Sequence, residues 1–372
     1  MKIVFILPSL KGGGAERVIL TLANGFKKRG NDVYLLLIND EIDYSEEILD
    51  GVKIVNLASK RVLFSFFGIR RFLNEERPDI VFSTIAHLNI YVLLLKIFLS
   101  NNRIRFVIRE SNTLSELIKV HKSIKNRLLH LMIKIQYPKA DLIIAPSRGV
   151  ADDLINNYNI NKDLINVIYN PIDYKTLLKS AEEPFVNIDL DIGQTKTIIG
   201  IGSLSKQKDF STLIKAFYRV EKSYDCKLII LGEGQERENL ESLIKELDLQ
   251  NRIFMPGFDK NPFKYLKNAD IFILSSIYEG LPNVLIQALL LGVPCIATNC
   301  KSGPDEILKY GDYGQLVEPE NPIQISDAIE NIFSQRWSVN FDKKLHLKYD
   351  VDEIINRYLD ISIFKTCPSN LD

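Results

Sequence analysis

Metal and disulfide chemistry are poorly provided for in this sequence: its 372 residues hold four cysteines and four histidines. Cys226, Cys295, Cys300 and Cys367 form no Cys-x-x-Cys pair, and the histidines are scattered. That argues against a disulfide framework or a structural zinc site and fits a reducing cytosol. No low-complexity stretch suggests disorder. No apolar run is long enough to span a bilayer, since residues 91–99 are short and interrupted by Lys96. Residues 1–7 are too short for a signal peptide and lead into a glycine loop, so they read as a first strand. Net charge is missing too, with 47 Lys and Arg against 47 Asp and Glu.

What is present is ordinary globular material, 46% hydrophobic and 25% charged, in a chain too long for one core. The charge is unevenly placed. Residues 1–180 carry 26 basic against 18 acidic side chains, and residues 181–372 carry 21 against 29. The basic half is suited to an anionic surface or substrate.

Strand-like and helix-like segments alternate through both halves, which predicts parallel sheets covered on both faces. Strands are expected at 3–8, 33–38, 52–57, 79–83, 104–108 and 142–145, then at 197–201, 227–231, 252–255, 271–274 and 294–297. The expected division is a Rossmann-like domain at 1–175, a polar linker at 176–195, a second Rossmann-like domain at 196–350, and a C-terminal helix at 351–372 that could return to the first domain.

Residues 271–294, IFILSSIYEGLPNVLIQALLLGVP, are the stretch around which the rest is organised. Residues 271–274 have the unbroken apolarity of a doubly covered parallel strand. Residues 275–280 leave its carboxyl end, and Pro282 suits the first turn of a helix running to Leu291 and stopping at Gly292. Ligands of open α/β sheets bind in that crevice, and a helix start favours an anion. Gly280, Leu281, Pro282 and Asn283 would border it. Glu279 and Gln287 are too far apart, on a helix rising roughly 1.5 Å per residue, to hold one atom. They suit two ends of an extended ligand. Taken alone, they read equally well as a loop acid and a polar surface residue.

Other strand ends carry candidates. Gly12, Gly13 and Gly14 let backbone approach a ligand closely, although the spacing is not G-x-G-x-x-G and a tight turn explains it too. Lys208, in the loop from Gly202 and Ser203, is placed to meet a phosphate as a mobile point charge. His87 follows an expected strand end, where a hydrogen-bonded structural histidine is the plainer reading. Arg109 and Glu110 could form a simple ion pair. Residues 119–134, KVHKSIKNRLLHLMIK, have five Lys or Arg (Lys119, Lys122, Lys125, Arg127, Lys134) and no acid, with apolar residues at helical spacing. Such a segment can lie on an anionic bilayer or be a solvated basic helix.

The runs GGGAERVILTLANGF, IGSLSKQKDF, LIILGEGQERENL and YEGLPNVLIQALLLGVPCIATNCKSGPDEIL resemble, in order and over nearly the whole chain, the retaining glycosyltransferases of family four. The resemblance implies the GT-B fold, two Rossmann-like doubly wound parallel-sheet domains facing a cleft. It implies that Glu279 contacts donor-sugar hydroxyls, that Gln287 holds the ribose diol and that Lys208 neutralises the donor diphosphate. The 12–14 loop would close over that diphosphate, with His87 near the donor sugar. Glu279, His87 and Lys208 are then the catalytic candidates. Arg109 and the 119–134 cations lie on the acceptor or membrane side. Two positions depart from the pattern: Gln287 stands where the family has glutamate, and Ser203 where it commonly has arginine. Charged hydrogen bonds exceed neutral ones by about 1 kcal/mol, so donor affinity should be several-fold weaker.

The implied activity is transfer, with retention, of a hexose or N-acetylhexosamine from a UDP-sugar to a polyprenyl-diphosphate-linked glycan in capsule, O-antigen or related polysaccharide synthesis. No metal or other cofactor is expected, and no nucleic acid. The expected place is the cytoplasm or the cytoplasmic face of the inner membrane, in peripheral contact with anionic lipid. Two other readings use the same fold: a UDP-N-acetylglucosamine 2-epimerase, and a non-catalytic nucleotide-sugar-binding partner.

Overall fold

A computed structural model describes residues 1–43, 45–59, 62–99, 103–120, 123–184, 195–335 and 344–363. The chain divides into two compact units, Met1–Pro171 with Tyr349–Asp372, and Ile172–Lys348.

The first unit is built on seven parallel strands: β1 (Lys2–Leu7), β2 (Asp32–Leu37), β3 (Lys53–Asn56), β4 (Ile80–Thr84), β5 (Arg105–Arg109), β6 (Leu142–Ala145) and β7 (Ile165–Val167), in the order β3-β2-β1-β4-β5-β6-β7. Its helices are α1 (Gly14–Lys28), α2 (Phe66–Glu76), α3 (Ala86–Lys96), α4 (Leu114–Val120), α5 (Ile124–Gln136) and α6 (Arg148–Tyr158). The inner strands are apolar on both faces because helices cover both. Ile6, Val81 and Ile108 pack under α2, α3 and α5, while Phe5, Phe82 and Val107 pack under α1.

The second unit has α7 (Tyr174–Ala181) and a six-stranded parallel sheet, β8 (Lys196–Ile201), β9 (Cys226–Leu231), β10 (Ile253–Gly257), β11 (Ile271–Leu274), β12 (Cys295–Thr298) and β13 (Gln315–Val317), ordered β10-β9-β8-β11-β12-β13. Its other helices are α8 (Phe210–Val220), α9 (Arg237–Glu246), α10 (Phe263–Lys267), α11 (Asn283–Leu290), α12 (Pro304–Ile307), α13 (Pro322–Phe333) and α14 (Leu345–Lys348). The last helix, α15 (Val351–Ile363), belongs to the first unit and buries Ile354, Ile355 and Tyr358 in the α1-side core. A Cβ on Gly25 of α1 would lie 1.9 Å from Ile355 Cδ1, so α1 needs glycine where α15 approaches.

In each sheet the strand order reverses once, between β1 and β4 and between β8 and β11. Ligands of doubly wound sheets bind outside the strand carboxyl ends at such a reversal.

Several expectations need correction in detail. β7 and β13 were not anticipated; each is three residues long and lies at a sheet edge. Residues 176–181, expected in a linker, are helical and pack through α7 against α10. Residues 185–194 lie outside the described residues. The basic stretch 119–134 is not one helix: α4 ends at Val120, and Ser123 caps α5 by accepting from Asn126 N. Lys122 and Cys367 also fall outside the described residues. Cys226, Cys295 and Cys300 are buried free thiols.

Candidate active site

In the second unit the chain leaves β8 and β11 on the two sides of the strand-order reversal. Lys208 comes from the first exit and Glu279 from the second. Lys208 Nζ lies 2.5 Å from Glu279 Oε1, and the two side chains are 17% and 7% exposed. Ser276 Oγ donates to the same Oε1 at 2.6 Å, and Thr298 Oγ1, at the end of β12, donates to Ser276 O. Two further bonds lace the exits together. Ser275 Oγ donates to Lys208 O at 2.7 Å, and Gln207 Nε2 donates to Tyr278 O at 2.9 Å. A cation and an anion are thus held side by side with little water, where the interaction is less screened than at a surface.

Two glycines let the surrounding loops close up. Gly232 has φ +143°, and a Cβ there would sit 1.8 Å from Gly202 O. The loops after β8 and β9 therefore touch backbone to backbone, with Leu204 N donating to Glu233 O and Glu236 N to Leu204 O. Gly303 has φ +100°, and a Cβ would meet Pro282 Cδ at 2.7 Å and Gly280 O at 2.9 Å. The turn after β12 is pressed against the entrance of α11, burying the hydroxyl of Ser302 without a partner. Pro282 stands at the N-cap of α11, one residue before the first turn expected of it, and it has no N–H to offer an anion. Glu279, Gly280, Leu281 and Pro282 are buried, whereas Asn283 and Gln287 are half-buried. Ser203 is exposed, its Oγ 3.2 Å from Ser205 Oγ, and Lys206 is exposed beside it. Lys208 runs over Gly202, where a Cβ would meet Lys208 Cε at 3.2 Å.

In the first unit the glycine loop follows β1, and Gly13 is the N-cap of α1. The Gly12 N–H donates to Asp43 Oδ2 at 2.7 Å, and Glu16 Oε2 lies 2.1 Å from where a Gly13 Cβ would stand. Carboxylates of the chain itself thus occupy the loop. Burial pushes the Glu16 carboxyl up. His87 is exposed on the first turn of α3, behind Ile85 at φ +74°, an unusual conformation for a β-branched residue. Partial desolvation, and then the Lys125 ammonium, lower the His87 imidazole below its ordinary value.

The Arg109 charge acts on Glu110, while the two side chains make their hydrogen bonds to different partners. Arg109 is 2% exposed and bonds Asn170 through Nη2. Glu110 is fully buried and accepts from Tyr137 OH at 2.6 Å and from Ser111 N at 3.0 Å. Asn89 Nδ2 donates to Arg109 O and to Tyr137 OH, and Ser83 Oγ donates to Asn89 Oδ1. Burial pushes Glu110 up to about 7, against the bonds that favour its charged form. This network went unseen in the sequence, as did Ser276 and Thr298. The one available signal was polar residues at the ends of otherwise apolar strands. Lys119, Lys125, Arg127 and Lys134 are all exposed on α4 and α5. Among the described residues no group of three or more His, Cys, Asp or Glu could hold a metal ion.

Two family descriptions match the chain: Glycosyltransferase Family 4 over residues 12–176, and Glycosyl transferases group 1 over residues 187–348. The chain is 34% identical, over 86% of its length and 87% of the relative's, to the N-acetylgalactosamine-N,N'-diacetylbacillosaminyl-diphospho-undecaprenol 4-alpha-N-acetylgalactosaminyltransferase of Campylobacter jejuni. It belongs to the family 4 glycosyltransferases. The lipopolysaccharide 1,6-galactosyltransferase of Escherichia coli is a more distant relative, 26% identical over 86% of this chain and 85% of that one. Among solved structures, Anabaena HepE in complex with UDP-glucose superposes with a TM-score of 0.82 at 20% identity, covering 97% of this chain and 99% of that one. That likeness shows the fold, which is GT-B.

Proposed function

We propose that this family 4 glycosyltransferase moves a hexose or N-acetylhexosamine from a UDP-sugar to a polyprenyl-diphosphate-linked glycan, with retention, in the assembly of a bacterial surface polysaccharide. The observation that carries the reading is the Lys208–Glu279 pair at the strand-order reversal of the second unit. Lys208 supplies positive charge for the donor diphosphate. Glu279, held by Ser276, is an acceptor for donor-sugar hydroxyls, and Gln287 takes a ribose hydroxyl further along α11. The acceptor oxygen bonds to the anomeric carbon as the bond from that carbon to the diphosphate oxygen breaks. The acceptor proton passes to the departing phosphate on the same face, so no enzymic nucleophile is needed. Preorganised charge and orientation do the catalytic work.

The relatives support the acceptor class: one is named for a diphospho-undecaprenol acceptor and another for lipopolysaccharide. HepE, in complex with UDP-glucose, supports the donor class. An acceptor of this kind puts the enzyme in peripheral contact with an anionic membrane, on its cytoplasmic face. The test is a UDP-sugar screen with detergent-solubilised lipid extract from the source cell, followed by mass analysis of the lipid fraction. One sugar added to a lipid-diphosphate species, unchanged by EDTA, is expected. Release of free or epimerised sugar without acceptor would contradict it.

A further inference from the structure

The outward side of one helix layer in the first unit is apolar where a globular surface is normally charged. Helix α5 exposes Ile124 at 86%, Leu128 at 58%, Leu131 at 52% and Ile135 at 47%. Their spacing of four, three and four residues puts them on one stripe. Ile133 and Gln136 on the opposite side are buried. Lys125 flanks the stripe on one shoulder, and Arg127 and Lys134 flank it on the other, all exposed. In the second unit α9 shows the usual arrangement, with Glu238, Glu241, Lys245 and Glu246 exposed.

The same layer has a second apolar patch. Phe64 is 68% exposed, Phe67 76%, Ile97 61% and Phe98 53%. Phe66 ties these together through edge-on contacts with Phe67, Tyr91 and Phe98, all with ring centroids within 5.9 Å. α2, α3 and α5 all cover the same face of the sheet, and α3 packs against α5. Clustered exposure on this scale marks an interaction site.

The charge says which partner. Residues 117–140 hold six Lys or Arg and no Asp or Glu. Two copies of such a surface would repel each other, whereas a helix with an apolar stripe between cationic shoulders suits an anionic headgroup layer. We propose that the outer face of α2, α3 and α5 docks on an anionic phospholipid bilayer. The α5 stripe lies in the headgroup–acyl boundary, and Phe64, Phe67 and Phe98 form a second point of insertion. This deepens the membrane contact proposed above by naming the surface that makes it.

The full chain is floated with vesicles of phosphatidylcholine, with and without phosphatidylglycerol, at low and high salt. Binding is expected to the anionic vesicles alone and to weaken as salt rises. Lys125→Glu with Arg127→Glu should lower the partition coefficient at least about twentyfold, since each cation near such a surface is worth about fivefold. Leu128→Ser with Leu131→Ser, and separately Phe64→Ser with Phe67→Ser, should each lower it about tenfold or more. Leu128, Leu131, Phe64 and Phe67 are exposed and outside the candidate site, so in those two double variants UDP binding and the unfolding midpoint should stay unchanged, which separates this test from that of the transfer activity. Equal binding to neutral vesicles, no binding, or binding indifferent to the variants would overturn the proposal. So would a dimer in light scattering that the same variants abolish.

Discussion

Two buried carboxylates stand at comparable places in the two units and are treated in opposite ways. Glu279, beyond β11, is held by a lysine, and the pair keeps part of its surface in reach of water. Glu110, beyond β5, is sealed away, held by a tyrosine hydroxyl and a backbone amide, and pushed up to about 7. One doubly wound topology thus carries two kinds of strand end. Where a carboxylate meets a lysine beside a strand-order reversal, a ligand can exchange for the internal partner. Where the carboxyl is drawn toward neutrality by burial, it serves the packing of β4, β5 and α3.

The largest effect expected from this contrast is on Lys208. Lys208→Met removes the ammonium beside the mostly buried Glu279 carboxylate and should cost on the order of 3 kcal/mol. Lys208→Met with Glu279→Gln should restore most of that stability without restoring donor turnover. Urea unfolding of the single and double variants checks it. Equal loss in both would mean that the ion pair does not govern the site.

A comparable effect, spread over pH, is expected at Glu110. Its folded-state value is raised from 4.5 to about 7, so the folded chain binds more protons than the unfolded chain between those limits. The stability that Glu110 contributes is therefore present below about pH 4.5 and lost as pH rises through 7, by at most about 1.4 kcal/mol per pH unit. Glu110→Gln should flatten that slope between pH 5 and 7, read from unfolding midpoints. An unchanged slope would place the titration elsewhere.

The smallest effect is at Gln287. Gln287→Glu restores a charged acceptor and should tighten UDP binding several-fold, about 1 kcal/mol. No change would remove Gln287 from the ligand's reach.

The inner strands were legible because burial on both faces leaves an unbroken apolar run, as in residues 271–274 of β11. β7 and β13 were not, since an edge strand of three mostly half-buried residues leaves no such run. Lys208 and Glu279 could each be singled out by position at a strand end, but their contact spans 71 residues of sequence and depends on β8 lying beside β11. The hydrogen-bond partners of Glu110 were not legible, since its neighbour Arg109 bonds elsewhere and influences it only through its charge. Tyr137, its actual partner, lies 27 residues away. The exposed apolar stripe of α5 was visible only as helical spacing, since sequence does not say which side of a helix meets the sheet.

The most direct test is calorimetric titration of UDP into the purified full chain and into the Lys208→Met, Glu279→Gln double variant. Saturable binding at one site per chain, lost in a double variant that remains folded, is the expected result. No heat with the native chain, or the same affinity in both, would contradict the assignment of Lys208 and Glu279 to a nucleotide-sugar site.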